Sequence, residues 1–202
     1  TGTQDLLADL TDGVLTLTMN RPEARNAMSG EMTAALAKQL EDAELNSAVK
    51  VIVLTGAGKG FCAGGDVKGM AASGDGTVGD NTIDGAIHRQ RINQRGTAGR
   101  LYSMPKPTIA ALPGAAAGAG LSLALACDLR VMANTAMMTT AFAKVGFSGD
   151  YGGTFFMTQL VGTAKARALY FLSDRLSAQQ ALDLGLTNWI CEADELAAKA
   201  NE

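Results

Sequence analysis

The stretch Lys106–Val131 reads KPTIAALPGAAAGAGLSLALACDLRV and fixes the order of the central elements. It predicts a strand, a turn of only alanine and glycine, a buried helix and a second strand: Thr108–Leu112, Ala115–Gly120, Leu121–Ala126 and Leu129–Ala133. Small residues allow another group to approach the backbone, and the start of a helix offers N–H groups that have no intrahelical acceptor. The stretch therefore predicts a place where negative charge can be stabilised, although tight packing of two elements would also explain it.

A second glycine-rich segment, Gly56–Met70, reads GAGKGFCAGGDVKGM. It is not a dinucleotide loop, because it lacks the G-x-G-x-x-G pattern, and it is not a P-loop, because Gly60 follows Lys59 where Ser or Thr is needed. The small residues Ala63, Gly64 and Gly65 indicate instead a second loop that exposes backbone donors.

The remaining segments alternate between strand and helix patterns. Strands are predicted at Val14–Met19, Lys50–Thr55 and Leu186–Ile190. Helices are predicted after an N-cap at Ser29, with Met32, Leu36, Leu40 and Ala43 on one face, and at Ala86–Ser103, Tyr151–Leu160, Ala164–Leu172 and Ser177–Leu184. A surface loop is expected over 73–85. This alternation predicts an α/β fold of coiled βα-type units without strict repeats.

Length and composition restrict the class of protein. The chain has 202 residues, which fits one domain, 1–202, and its net charge of −3 argues against a nucleic-acid partner. There is no apolar run long enough for a membrane span and no signal-peptide pattern at the N-terminus. The three cysteines contain no C-x-x-C motif, and the single histidine, His88, disfavours a metal centre. We therefore expect a cytoplasmic protein without a metal, and a solvent-facing or structural His88.

Five segments together resemble the enoyl-CoA hydratase/isomerase family, the crotonase superfamily: NRPEARNAM, VIVLTGAGKGFCAGGDV, KPTIAALPGAAAGAGLSLALACDLRVMA, GFSGDYGGT and LSAQQALDLGLTNWI. The resemblance implies a spiral of ββα units and an acyl-CoA thioester substrate, with coenzyme A as part of the substrate and no separate cofactor. It also implies a homotrimer or hexamer. Residues from about 163 to 202 would begin the C-terminal helical part, which we expect to be truncated.

The same resemblance assigns roles to individual residues. It implies that the backbone N–H groups of Gly65 and Ala119 hold the thioester oxygen, which becomes negative when a neighbouring carbon loses a proton. It also implies a set of residues along the coenzyme A moiety: Arg25, Ala24, Ala27, Ala63, Asp66 and Lys68.

Two departures from the family pattern bear on the reaction. The positions where hydratases of the family carry water-activating glutamates are Ser122 and Phe142 here, and neither side chain is a carboxylate. Asp150 matches the acidic residue of the isomerase and dehalogenase branches. An apolar acyl pocket should raise its pKa toward neutrality, which suits a general base. The alternative is that Asp150 caps a helix that begins at Tyr151.

The pattern thus predicts an enzyme that shifts a double bond in an enoyl-CoA, with Asp150 as acid and base. Alternatives are an enoyl-CoA hydratase in fatty-acid or aromatic-acid degradation, and a non-catalytic acyl-CoA scaffold that would keep Gly65 and Ala119 without needing Asp150. A dehalogenase-like enzyme would require a histidine and an aromatic acyl pocket. This alternative is disfavoured, because the one tryptophan, Trp189, lies in the last predicted strand. A serine hydrolase with Ser122 as nucleophile has no histidine placed to activate it.

Overall fold

The computed structural model describes residues 1–66 and 82–202 of the chain. Within this part, six strands form one sheet in the order β1-β2-β3-β5-β7-β10. These strands are β1 (Leu6–Thr11), β2 (Val14–Met19), β3 (Val51–Gly56), β5 (Thr108–Leu112), β7 (Leu129–Ala133) and β10 (Trp189–Cys191). The β1–β2 pair is antiparallel, and the other neighbours are parallel.

A second sheet has the order β4-β6-β8-β9. Its strands are β4 (Gly60–Cys62), β6 (Ala115–Ala117), β8 (Met137–Thr139) and β9 (Leu176–Ser177). Three times in succession a strand of the first sheet is followed directly by a strand of the second: β3 by β4, β5 by β6, and β7 by β8. This alternation is the spiral of ββα units that the sequence predicts.

Helices cover and separate the two sheets. They are α1 (Gly30–Leu45), α2 (Ile83–Gln94), α3 (Arg100–Ser103), α4 (Ala119–Ala126), α5 (Gly153–Leu172), α6 (Ala178–Asp183) and α7 (Leu196–Asn201). A π-helical turn, Arg95–Gly99, joins α2 to α3. No helix in the two described ranges is long and apolar enough to cross a bilayer.

Two predicted N-caps are confirmed. The Ser29 hydroxyl accepts a hydrogen bond from the Met32 amide, and Ser177 forms a reciprocal capping box with Gln180. The predicted apolar face of α1 is also confirmed, because its four predicted members are buried. These features depend on neighbours within one helical turn, and for that reason a local pattern predicts them well.

Helix α4 lies at the centre of the fold and is buried on every side. A helix without a polar face must be enclosed by protein, which agrees with its position between the two sheets. It starts at Ala119, two residues earlier than predicted, and the first part of the predicted small-residue turn is strand β6, which pairs with β4 and β8. The packing of this helix places its N-terminus inside the molecule.

Three other predicted boundaries are wrong. The last strand does not begin at Leu186, because the amides of Leu186 and Thr187 donate to the Ala181 carbonyl at the end of α6. The helix predicted from Ala86 begins at Ile83 behind a Thr82 cap, so the predicted 73–85 loop ends earlier than expected, and its residues 73–81 lie outside the described part of the chain. Residues Tyr151 and Gly152 precede α5 instead of forming its first turn. His88 is exposed on α2, as expected.

Candidate active site

The loop that carries Gly65 is held against the turn before α1. The Met28 amide donates to the Gly64 carbonyl at 2.8 Å, and the Asp66 amide donates to the Met28 carbonyl at 3.3 Å. In this parallel bridge the bonds are made by the residues on either side of Gly65, so the Gly65 N–H is directed away from Met28. Within the described ranges that N–H has no hydrogen-bond acceptor.

Ala119 is the first residue of α4, so its N–H has no acceptor inside the helix. The preceding residue, Gly118, has φ 54° and ψ −128°, and its amide donates to the Thr139 carbonyl at 3.2 Å. No side chain caps this helix. The first turn of a buried helix therefore presents a bare amide, and the helix dipole favours negative charge beside it.

Two glycines bring the loop and the helix together. A Cβ on Gly64 would lie 3.0 Å from the Ala117 oxygen and 3.3 Å from the Ala119 nitrogen. A Cβ on Gly120 would lie 2.4 Å from the Cys62 oxygen. The absence of side chains at both positions thus lets the segment that ends in Gly65 touch the start of α4.

Asp150 lies in the loop before α5, and its carboxyl group is mostly buried. Burial raises its pKa from 3.8 to about 6. Its Oδ2 accepts a 3.5 Å hydrogen bond from Gln90 Nε2, whereas its buried Oδ1 has no partner in the described part of the chain. The cap residue of α5 is Gly152, and no side chain caps that helix, so the interpretation of Asp150 as a helix cap is wrong.

The two positions that would carry water-activating glutamates are filled differently. The Ser122 hydroxyl donates to the Asp150 carbonyl at 3.0 Å. The Phe142 ring is buried 3.7 Å from the Cβ position of Gly118 and stacks on Tyr170, with centroids 6.0 Å apart and planes 5° apart. An aromatic wall therefore borders the turn before Ala119, and neither Ser122 nor Phe142 supplies a carboxylate there.

A cleft of about 590 Å³ opens beside the same turn. Three basic side chains line it together with small residues, and the basic ones are Arg25, Lys59 and Arg175. Ala63 and Ala117 form part of its wall, so the cleft reaches within two residues of Ala119. The family resemblance predicts roles for Arg25 and Ala63. No sequence pattern indicated that Lys59 or Arg175 would line this cleft. Arg175 lies between α5 and β9, far from Arg25 in the chain.

The other residues expected along coenzyme A lie near this cleft or outside the described ranges. Ala24 ends a 3-10 turn, Pro22–Ala24, and Ala27 is buried. The Asp66 carboxylate accepts a 2.9 Å hydrogen bond from the Arg21 guanidinium. Lys68 lies outside the described residues.

The described residues contain no group of three or more His, Cys, Asp or Glu side chains that could hold a metal ion. The arrangement that they do contain combines two backbone donors, a mostly buried carboxyl group and a basic cleft. Such a site can stabilise a developing oxyanion while a carboxylate moves a proton close to it.

Comparison with known proteins shows the family of the chain. The family described as Enoyl-CoA hydratase/isomerase matches residues 9–202. The chain is 37% identical to the 1,2-epoxyphenylacetyl-CoA isomerase of Escherichia coli over 197 residues, which cover 98% of this chain and 73% of that protein. It is 35% identical to a putative enoyl-CoA hydratase/isomerase of Bacillus subtilis over 187 residues, which cover 92% of this chain and 68% of the relative.

Solved structures give the same result. A putative enoyl-CoA hydratase from Streptomyces coelicolor superposes with a TM-score of 0.90 at 33% identity, covering 100% of this chain and 72% of that one. An enoyl-CoA hydratase from Polaromonas superposes with a TM-score of 0.86 at 35% identity, covering 97% and 74%. The chain therefore belongs to the enoyl-CoA hydratase/isomerase family and has the crotonase fold of its structural relatives.

Proposed function

We propose that this enzyme moves a double bond within an acyl-CoA thioester, converting a 3-enoyl-CoA to the conjugated 2-enoyl-CoA. The observation that carries the proposal is the environment of Asp150: a mostly buried carboxyl group with an unpartnered oxygen, linked through Ser122 to helix α4. The positions of the hydratase glutamates offer no second carboxylate. One carboxylate is sufficient for a reaction that takes a proton from one carbon and returns it to another.

The reaction has two proton transfers. Asp150 takes the proton from C2, the C2–H bond breaks, and the electron pair moves toward the thioester oxygen to form an extended enolate. Asp150 then returns the proton to C4, and the double bond forms between C2 and C3. The step is balanced without an oxidant or reductant, so it requires no cofactor beyond the coenzyme A of the substrate.

The backbone amides of Gly65 and Ala119 would hold the enolate oxygen. Charge on this oxygen is greatest in the transition state and the intermediate, so preorganised donors favour these species over the bound substrate. A donor of this kind contributes about 3–4 kcal/mol. Their positions support the assignment, because both amides belong to segments that touch each other and lack protein acceptors within the described ranges.

The state of Asp150 also suits the reaction. A base with a pKa of about 6 is ionised at neutral pH, yet its conjugate acid is strong enough to return the proton. Gln90 donates to Oδ2, so Oδ1 remains for the proton in transit. The enzyme should therefore lose kcat/KM as the pH falls through about 6, because protonation removes the base.

The basic cleft supports the choice of a coenzyme A ester. Its three cations, Arg25, Lys59 and Arg175, suit the phosphate groups of coenzyme A. The cleft is lined by Ala117, two residues before Ala119, so a thioester bound there would lie close to the segment that carries the amide. The name of the Escherichia coli relative also describes the isomerisation of a CoA ester.

Hydration of a 2-enoyl-CoA is the second candidate, since a relative from Rhodobacter capsulatus is named a probable enoyl-CoA hydratase. The geometry around Ser122 and Phe142 supports it less. Phe142 cannot orient water, and the Ser122 proton is already donated to the Asp150 carbonyl.

The test is Asp150→Asn, assayed with 3-hexenoyl-CoA. We expect kcat to fall by about 10²–10⁴-fold and the affinity for coenzyme A esters to stay nearly constant, because asparagine keeps the shape and loses the base. Asp174→Asn, at an exposed carboxylate, is the matched control and should keep the parental rate. An Asp150→Asn variant as fast as the parent would place the base elsewhere. A parent that binds the esters without turnover would indicate a non-catalytic binder.

A further inference from the structure

Ser122 contacts both halves of the candidate site. It lies on α4, one turn after Ala119, and is 2% exposed. Its hydroxyl oxygen lies 3.3 Å from the Gly118 carbonyl and 3.0 Å from the Asp150 carbonyl. One side chain therefore connects the turn that presents the Ala119 amide with the loop that carries the acid.

A hydroxyl has one proton, so it can donate fully to only one of these carbonyls. The Tyr170 phenol is a hydrogen-bond partner of Ser122. Burial and the nearby Asp150 charge raise the pKa of Tyr170, whereas the contact with Ser122 lowers it. Of the two carbonyls, that of Asp150 lies nearer to the Ser122 hydroxyl, so the shorter bond is the one to Asp150.

The conformation of the loop that carries Asp150 depends on hydrogen bonds from outside the loop, such as the bond from Ser122. Its neighbours Gly149, Tyr151 and Gly152 have φ values of 109°, 49° and 74°, a left-handed run that regular backbone pairing does not support. The Asp150 carboxylate itself has only the long bond to Gln90 within the described residues. The Asp150 carbonyl accepts from Ser122 and from the Gly153 amide at 3.1 Å, and these bonds fix the backbone from which the carboxylate projects.

The packing leaves little freedom at this point. A Cβ on Gly153 would lie 2.3 Å from the Ser122 oxygen and 2.4 Å from the Tyr170 oxygen. The two hydroxyls are therefore enclosed by the first residue of α5. A hydrogen bond in such an enclosed place is stronger than one in water, and a group left unpaired there is costly.

We propose that Ser122 is a positioning residue for the isomerisation: its bond to the Asp150 carbonyl sets the distance between the acid and the oxyanion amide of Ala119. The proposal rests on the proposed function. It assigns a role to the residue that replaces a hydratase glutamate, namely to hold the acid in place where the glutamate would hold water.

The first test is Ser122→Ala with 3-hexenoyl-CoA. We expect kcat to fall about tenfold with KM nearly constant, because small displacements of a catalytic group reduce the rate more than they reduce binding. Ser122→Cys keeps the size but donates only weakly, so it should also be slow. Thr97→Val is the control. It removes another buried hydroxyl, which donates to the Asn93 carbonyl on α2, and should lower the melting temperature while keeping kcat.

A double mutant distinguishes the positioning of Asp150 by Ser122 from a nonspecific disturbance of the structure. If Ser122 acts through Asp150, Ser122→Ala/Asp150→Asn should be no slower than Asp150→Asn alone. Tyr170→Phe should affect the rate less than Ser122→Ala, because the bond to Asp150 survives in it. Three results would each overturn the proposal. The first is a double mutant whose loss of kcat is the product of the two single losses, and the second is a Ser122→Cys variant with the parental kcat. The third is a Tyr170→Phe variant that is slower than Ser122→Ala.

The same experiment distinguishes this proposal from the proposed function. An Asp150→Asn variant with full activity overturns both, since no acid would then need positioning. A slow Asp150→Asn variant beside a fast Ser122→Ala variant leaves the proposed function standing and overturns the role of Ser122.

Discussion

The Arg21 guanidinium donates a 2.9 Å hydrogen bond to the carboxylate of Asp66, the residue that follows Gly65. The same nitrogen donates to the Ala27 carbonyl at 2.8 Å, and Arg21 Nε lies 3.5 Å from Asp5. The pair is about one-fifth exposed, so it is screened less than a surface pair. Arg21 thus connects the start of the Arg25 turn to the loop that presents the Gly65 amide.

We expect Arg21→Met to lower turnover about tenfold, because a loosened Gly65 loop would misplace one oxyanion donor. If Asp66 acts through Arg21, Arg21→Met/Asp66→Asn should be no worse than either single variant. Steady-state kinetics on the three variants is the measurement. Lys38→Met, which removes the exposed pair with Asp42 on α1, should have no effect on turnover. A raised KM in Asp66→Asn alone would show instead that Asp66 contacts coenzyme A.

Proline substitution tests the two amides, because proline lacks an N–H. Ala119 is the first residue of α4, a position where helices accept proline, so Ala119→Pro should fold. It should lose at least about tenfold in turnover, and so should Gly65→Pro. Ala119→Gly keeps the amide and is the control. If circular dichroism shows both proline variants to be folded and their turnover is unchanged, the amides do not hold the thioester oxygen.

Hydration of crotonyl-CoA should be slow, because Ser122 and Phe142 stand where water-activating carboxylates would be. We expect a hydration kcat far below roughly 10²–10³ s⁻¹, the upper part of the usual range for enzymes. The loss of absorbance of the conjugated thioester measures it, and isomerisation by the same preparation provides the reference. Hydration in that fast range would contradict the assignment.

Asp150→Asn should also change stability in a pH-dependent way. Because burial raises the pKa of Asp150 from 3.8 to about 6, the folded state binds this proton more tightly than the unfolded chain. The stability that this proton contributes is fully present below pH 3.8 and is lost as the pH rises through about 6. Asparagine carries no charge, so the variant should melt higher than the parent at pH 8 and lose that advantage toward pH 4. A variant that melts lower than the parent at pH 8 would show that the carboxylate makes stabilising contacts.

Much of the fold follows from local patterns. The strand, small-residue, helix and strand order of Lys106–Val131 is confirmed, as are the Ser29 and Ser177 caps. The kink that separates two predicted helical runs is also present, because Gly162 has φ 74° inside α5. In each case the preference belongs to a few consecutive residues, whose backbone and side chains decide the outcome together.

By itself the sequence determined the family, the spiral of ββα units and the residues that the resemblance places at the site. Only the tertiary structure decided which of those residues meet, because their contacts join positions far apart in the chain. The bond from Ser122 to Asp150 spans 28 residues, and that from Arg21 to Asp66 spans 45. Packing likewise decided that Asp150 is a mostly buried acid and not a helix cap, because burial by other segments raises its pKa.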